Sequence, residues 1–265
     1  MNKCVGVIGV GNMGEALLAG LIKAGHPAGE ICITDKRADH SAALATKYGV
    51  IDQQLSVIGA ECEVILVVVK PQDLTATLED LLPTLGPRAV IVSFVAGKTI
   101  AGIESIVGSA HAVIRVMPNS PTLIGLGMSA ISPGTHATDA DLGFVRNFLG
   151  SSGKVVEVAE DLQDAVTATS GSGPAYFFAF VEAMVEGAKR LGLSEEIATE
   201  LTVQTLIGAA GMLAESGKDA KTLRENVTSP NGTTAAALAS FESEQLGKIV
   251  ALGMAAAAKR SAELA

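Results

Sequence analysis

An α/β domain built on a largely parallel sheet, followed by an all-α domain, is the architecture the chain predicts, and three observations carry that expectation. A short apolar run ends in a glycine-rich turn that opens into a helical segment. Further β-branched runs recur at the spacing of alternating strands and helices. After residue 158 those runs stop and the sequence turns rich in alanine, leucine and glutamate.

The first of these is the most specific. Residues 4–8 predict a buried strand, Gly9-Val10-Gly11-Asn12-Met13-Gly14 a turn, and 15–22 a helix. In a G-x-G-x-x-G turn placed this way, the first glycine makes the turn, the second admits a pyrophosphate, and the third lets helix and strand pack closely. Gly9, Val10, Gly11, Asn12, Met13 and Gly14 are therefore candidate dinucleotide ligands, and 1–159 is expected to be a Rossmann-type dinucleotide-binding domain. The run at 30–34 ends at Asp35, close to where such domains place an acid against the adenosine ribose, which argues for NAD. Lys36 and Arg37 follow at once and suit the extra phosphate of NADP, so both cofactors stay open.

Runs at 64–69, 89–94 and 112–116 are nearly continuous in apolar residues, as strands buried on both faces require, and 155–158 closes the strand-rich half. They lead into Lys70-Pro71-Gln72, Ala96-Gly97-Lys98 and Met117-Pro118-Asn119, poor strand formers at the strand ends where open parallel sheets bind ligands. Lys70 and Asn119 are candidates for the cofactor or substrate there.

The second domain is expected over 160–265. Gly171-Ser172-Gly173-Pro174 interrupts its first helical stretch, with Pro174 suited to a helix's first turn. The stretch after Thr234 has little polar surface, and two such segments in a small domain cannot bury each other, so a dimer interleaving these helices is expected. Just before it, Val227-Thr228-Ser229-Pro230-Asn231-Gly232-Thr233-Thr234 places hydroxyls and free amides at a helix start. Taken alone these residues suit an ordinary helix cap better than an anion-binding corner, and the dinucleotide turn at the chain start supplies the demand for an anion.

Composition narrows the function classes. The 265 residues suit two modest domains, and with 48% hydrophobic but only 3% aromatic residues the cores must be built from small and branched side chains. A net charge of −9 argues against nucleic acid or an anionic membrane as partner. The apolar runs at 64–69 and 249–258 fall short of the roughly twenty residues a bilayer needs, so no spanning segment is expected. Met1-Asn2-Lys3 leads straight into the first strand, so no leader is expected. Cys4, Cys32 and Cys62 show no metal-ligand spacing and read as small core residues of a reducing, cytoplasmic protein with no metal. His26, His40, His111 and His136 are scattered and suggest no histidine catalysis.

A dinucleotide turn and an anion corner together imply hydride transfer to a small carboxylate-bearing substrate. Ketone reduction needs a nearby proton donor, and the chain offers none that stands out; a protonated imine brings its own proton. Thr234 hydrogen-bonded to the ring nitrogen, with Ser229, Gly232 and Thr233 clamping the carboxylate, would suffice.

The motifs GVGNMG, VVVKPQ, RVMPNSP, SGSGPAY and VTSPNGTT, in this order, closely resemble those of the pyrroline-5-carboxylate reductases, the last enzymes of proline biosynthesis, across essentially the full chain. The resemblance implies that Gly9 to Gly14 bind the pyrophosphate and that Val69, Lys70 and Ala96 contact the nicotinamide. It implies that Ser229, Gly232 and Thr233 hold the substrate carboxylate and Thr234 the ring nitrogen, with Asn226 contributing from the preceding turn. It also implies NADPH as the usual cofactor, 1-pyrroline-5-carboxylate as substrate, L-proline as product, and a dimer of interlocked helical domains often assembled into a decamer. Asn231 departs from the family's glycine, and asparagine tolerates the positive φ that position favours. A β-hydroxyacid dehydrogenase would need a catalytic lysine with an asparagine four residues on, whereas Lys189 is followed by Leu193. A non-catalytic dinucleotide sensor, or a reductase of another small cyclic imine, are the remaining alternatives.

Overall fold

Period-two alternation inside the apolar runs decides which helices each strand face receives. A computed structural model describes residues 3–264; Met1 and Asn2, expected to lead directly into the first strand, lie outside the described residues, as does Ala265. The strands are β1 (Val5–Ile8), β2 (Ile31–Thr34), β3 (Ile51–Asp52), β4 (Val64–Val67), β5 (Val90–Ser93), β6 (Ala112–Met117), β7 (Gly127–Pro133) and β8 (Gly153–Glu157). Among the described residues they form one sheet in the order β3-β2-β1-β4-β5-β6-β7-β8. Every neighbouring pair is parallel except β6 and β7, where Ile114 faces Pro133 and Val116 faces Ile131.

One face of the sheet presents Val5, Val7, Ile31, Ile33, Val64 and Leu66 to α1 (Asn12–Lys23), α2 (Ala38–Tyr48) and, further along, α6 (Asp139–Gly150). Leu17, Leu18 and Leu21 of α1 and Val145, Phe148 and Leu149 of α6 fill that side. The other face presents Ile8, Cys32, Ile65, Val67 and Ile91 to α3 (Leu55–Glu61), α4 (Leu74–Leu81) and α5 (Ile100–Val107), through Ile58, Leu78, Leu81 and Ile103. Both faces are covered, which is why these strands read as unbroken apolar runs rather than alternating ones.

The helices that follow are α7 (Gln163–Val166), which runs into a wider π turn over Thr167–Gly171, then α8 (Gly173–Arg190), α9 (Glu195–Glu215), α10 (Ala220–Asn226), α11 (Thr233–Ser243) and α12 (Leu246–Ala262). Pro174 lies in the first turn of α8, where its missing N–H costs nothing. By contacts the chain divides into Met1–Ser172 with Ala256–Ala265, and Gly173–Ala255. The composition change near residue 159 precedes that division, because 160–172 pack on the sheet domain. Gln163 is fully buried and its Nε2 donates to Ser132 Oγ at 2.8 Å. Arg115, also buried, meets Glu160 at 3.3 Å, and Ser261 Oγ donates to Asp164 Oδ1 at 2.7 Å, which ties the C-terminal turn to the same unit.

In the second unit α8 and α9 pack on each other, joined through Gly192 at φ 99° and the N-cap Ser194. Large apolar side chains stay exposed there: Phe177, Phe178, Ile207, Ile249 and Leu252 each keep about 60% of their surface. α9 is, by length and composition, apolar enough to cross a membrane. That differs from the expectation of no such segment, which weighed unbroken apolar runs; in α9 the apolar residues are spread among alanine, glycine and threonine.

Candidate active site

The three glycines of the turn after β1 do three different things. Gly9 adopts φ 90°, and a Cβ there would lie 2.8 Å from the Val68 carbonyl oxygen. Gly11 is the N-cap of α1, and a Cβ there would meet nothing within 4 Å, so its backbone faces open space. Gly14 sits against Gly9, where a Cβ would run into the Gly9 carbonyl oxygen. Turn, open approach and close helix packing are thus divided among them as a pyrophosphate site requires. No side chain caps α1, so its first amides remain available to an anion.

A cleft of about 680 Å³ opens beyond the carboxyl ends of β1, β2 and β4. It lies where the chain, having added β2 and β3 on one side of β1, returns to add β4 on the other, the switch point at which open α/β sheets bind ligands. Of the expected residues, Gly9, Gly11, Asp35, Lys36, Arg37, Val69 and Lys70 line it. Val10 is buried beneath it, Gly14 is buried in α1, Met13 packs on the core, and Asn12 is exposed outside the lining. Ala96 is half-buried in the turn after β5 and does not line the cleft. Asn119 is committed elsewhere: its Oδ1 accepts from Met128 N at 2.8 Å and its Nδ2 donates to Ser170 O at 3.2 Å.

Asp35 is held firmly. Oδ2 accepts from Val10 N at 2.9 Å, and Oδ1 accepts from Arg37 N at 3.0 Å and Arg37 Nε at 3.2 Å. Burial pushes its pKa up, but these donors outweigh it and hold the carboxyl below its ordinary range, so it is ionised at neutral pH. Lys36 Nζ donates to Asp73 Oδ1 at 2.7 Å across the cleft mouth. The glycine turn is braced a second time by the His40 ring, whose Nε2 lies 2.8 Å from the Val10 carbonyl oxygen. His40 and Asp73 were not legible as site residues: nothing in the sequence marks the fold that brings them to the turn.

In the helical unit, α10 ends at the exposed Asn226, and the loop to α11 is pinned by Thr228 Oγ1 donating to Arg224 O at 2.6 Å and Gly232 N donating to Ser229 O at 3.0 Å. Gly232 is the N-cap of α11 with no side-chain cap, so the amides of Thr233, Thr234 and Ala235 begin the helix without intrahelical acceptors. A Cβ on Gly232 would collide with Ser229 Oγ; glycine is what lets that hydroxyl approach the helix start. Asn231 takes φ 59°, the left-handed conformation that the sequence expects asparagine to tolerate there. Asn231→Val is expected to lower stability by about 1–2 kcal/mol with Asn231→Gly neutral, as measured by thermal unfolding; equal values for the two would remove the strain argument.

Residues 160–264 match the family model for pyrroline-5-carboxylate reductase dimerisation, and residues 4–97 the model for NADP oxidoreductase, coenzyme F420-dependent. A pyrroline-5-carboxylate reductase of Pseudomonas aeruginosa is 39% identical over 264 residues, covering 98% of this chain and 96% of that protein. The chain belongs to the pyrroline-5-carboxylate reductase family. Among solved structures, the family's enzyme from Coxiella burnetii aligns with a TM-score of 0.93 at 32% identity over 100% of this chain and 99% of that one. The pyrroline carboxylate reductase of Plasmodium falciparum, solved with NADP bound, aligns with a TM-score of 0.87 at 28% identity over 99% and 98%.

Proposed function

We propose that the chain transfers hydride from a reduced nicotinamide dinucleotide to the C=N bond of 1-pyrroline-5-carboxylate, giving L-proline in the last step of proline biosynthesis. It acts as an oxidoreductase on the CH–NH group. The observation that carries this reading is the start of α11, an uncapped helix N-terminus with the Ser229 hydroxyl drawn in by Gly232, in a chain of this family. Gly9, Val10, Gly11, Asn12, Met13 and Gly14 hold the pyrophosphate, Asp35, Lys36 and Arg37 the adenosine end, and Val69, Lys70 and Ala96 the nicotinamide end. The open side of Gly11 fits a pyrophosphate at the helix start. Bound there, the reduced dinucleotide supplies the hydride.

Ser229, Gly232 and Thr233 receive the substrate carboxylate at the positive end of α11, with Asn226 contributing from the turn before. Thr234 accepts a hydrogen bond from the protonated ring nitrogen, orienting the imine carbon for attack. As hydride bonds to that carbon, the C=N π electrons pass to nitrogen, which keeps its proton, so no protein acid is consumed. Residues 1–159 serve as the dinucleotide-binding domain and 160–265 as the helical dimerisation and substrate-binding domain.

NADP is the proposed cofactor, with NAD also accepted. Arg37 neutralises Asp35, and its exposed guanidinium adjoins the ribose position. Lys36 is held back by Asp73. Asp73→Ala is expected to lower KM for NADPH about three- to tenfold, leaving NADH unchanged, in parallel assays at low salt; an unaltered ratio removes Lys36 from cofactor choice. The exposed apolar side chains of α8, α9 and α12 serve a homodimer, further assembled into a decamer, rather than a membrane or nucleic acid, and the protein works in the cytoplasm.

The test is oxidation of NADPH and NADH by purified protein on adding 1-pyrroline-5-carboxylate. Nucleotide binding without oxidation of either would overturn this reading in favour of a dinucleotide sensor or a hydroxyacid dehydrogenase.

A further inference from the structure

Cys4, Cys32 and Cys62 are far apart in sequence, yet the fold gathers their sulfurs. Cys4 immediately precedes β1, Cys32 lies in β2 opposite Gly6, and Cys62 ends α3. Cys4 and Gly6 share a face of β1 by the two-residue period of a strand. A Cβ on Gly6 would run into Ile58 Cγ2 but make only an ordinary contact with Cys62 Sγ at 3.4 Å, so the glycine lets α3, with Cys62 at its end, pack close against β1. Cys4 Sγ lies 2.9 Å from Cys62 Sγ and 4.0 Å from Cys32 Sγ, and all three sulfurs lie within 4.8 Å of one another. Cys32 and Cys62 are buried among Ile8, Ile58 and Ile65, while Cys4 is half-buried and gives the cluster an edge to solvent.

We propose that this trio binds a soft, thiophilic d10 metal ion through three sulfurs. A three-coordinate ion with metal–sulfur bonds of about 2.3 Å sets its sulfurs about 4 Å apart, which Cys4 and Cys32 already meet at 4.0 Å and which Cys4 and Cys62, at 2.9 Å, reach by parting on binding. Among the described residues no imidazole or carboxylate joins the group, so the donor set is purely thiolate, the set that selects soft ions over oxygen-seeking ones. Binding forms sulfur–metal bonds as S–H bonds break, and the released protons leave by the Cys4 edge. The ion keeps its oxidation state, so no redox partner is needed. Burial raises the pKa of Cys32 and of Cys62, which leaves the ion-free thiols protonated and poor nucleophiles. That environment is the reverse of the exposed thiolate an oxidation sensor needs.

Reduced full-length protein is titrated without oxygen with Cu(I) and, separately, with Cd(II), each against a competing chelator. Ultraviolet thiolate-to-metal charge transfer saturating at one ion per chain with either metal is expected, and the metal that gives it identifies the charge the site takes. Cys4→Ala, at the half-buried edge, should lose at least tenfold in affinity while keeping reductase activity and the metal-free unfolding temperature. If that variant unfolds, Cys32→Ala takes its place. No charge-transfer band with either ion, or undiminished affinity in the cysteine variant, overturns the proposal.

Discussion

Gly14→Ala is expected to weaken NADPH and NADH binding at least tenfold and to lower stability by about 1–3 kcal/mol, the usual effect of overfilling a packed site. The added methyl would run into the Gly9 carbonyl oxygen, which is backbone and cannot swing aside. Either α1 moves away from β1 or the turn at Gly9 opens, and both displace the Gly11 amide that faces the cleft. Moving α1 also pulls Leu17, Leu18 and Leu21 from the core, so stability and affinity fall together. Thermal unfolding, at roughly 2–4 °C per kcal/mol for a domain of this size, and nucleotide fluorescence titration read the two effects. A variant with wild-type affinity would show that the turn does not hold the pyrophosphate. Gly11→Ala is the informative contrast: it meets no protein atom, so it should leave stability intact while still impeding the nucleotide.

Thr234→Ala should lower kcat roughly 10- to 100-fold, the worth of one hydrogen bond to a charged group, with NADPH affinity unchanged. Thr234 is the second residue of α11 and half-buried, so losing its hydroxyl leaves the helix start in place. Thr234→Ser keeps the oxygen and should restore most of the rate, which a merely structural role for the methyl would not allow. Steady-state kinetics with 1-pyrroline-5-carboxylate decide it, and undiminished kcat in Thr234→Ala removes this residue from the mechanism.

The runs at 64–69 and 89–94 were legible as strands because both their faces are buried, so composition alone announces them. β7 was not: Gly-Met-Ser-Ala-Ile-Ser-Pro has a single β-branched residue, and the segment is a strand only because β6 and β8 pair with it on either side. The run at 64–69 leaves the ladder after Val67, since Val68 N bonds Ile8 O to close the turn around Gly9. The glycine turn itself could be read residue by residue because φ, open space and close packing each demand glycine for a separate reason. Asn119 shows the limit. A polar residue at a strand's end suits a ligand and a structural tie equally, and only Met128 and Ser170, brought up by β7 and the π turn, decide for the tie. Asp73 is likewise an ordinary surface acid until the turn Pro71–Asp73, just ahead of α4, sets it against Lys36.

The sheet unit is discontinuous in the chain: residues 173–255 intervene before 256–264 return to it, with Ser261 bonded to Asp164. During synthesis the strands emerge first, but the segment that seals Asp164 and covers Gly97 leaves the ribosome only after the whole helical unit. The nucleotide domain is thus left waiting for its own last piece, and a nascent chain stopped at residue 255 would hold the whole helical unit while the sheet unit still lacked its closing segment.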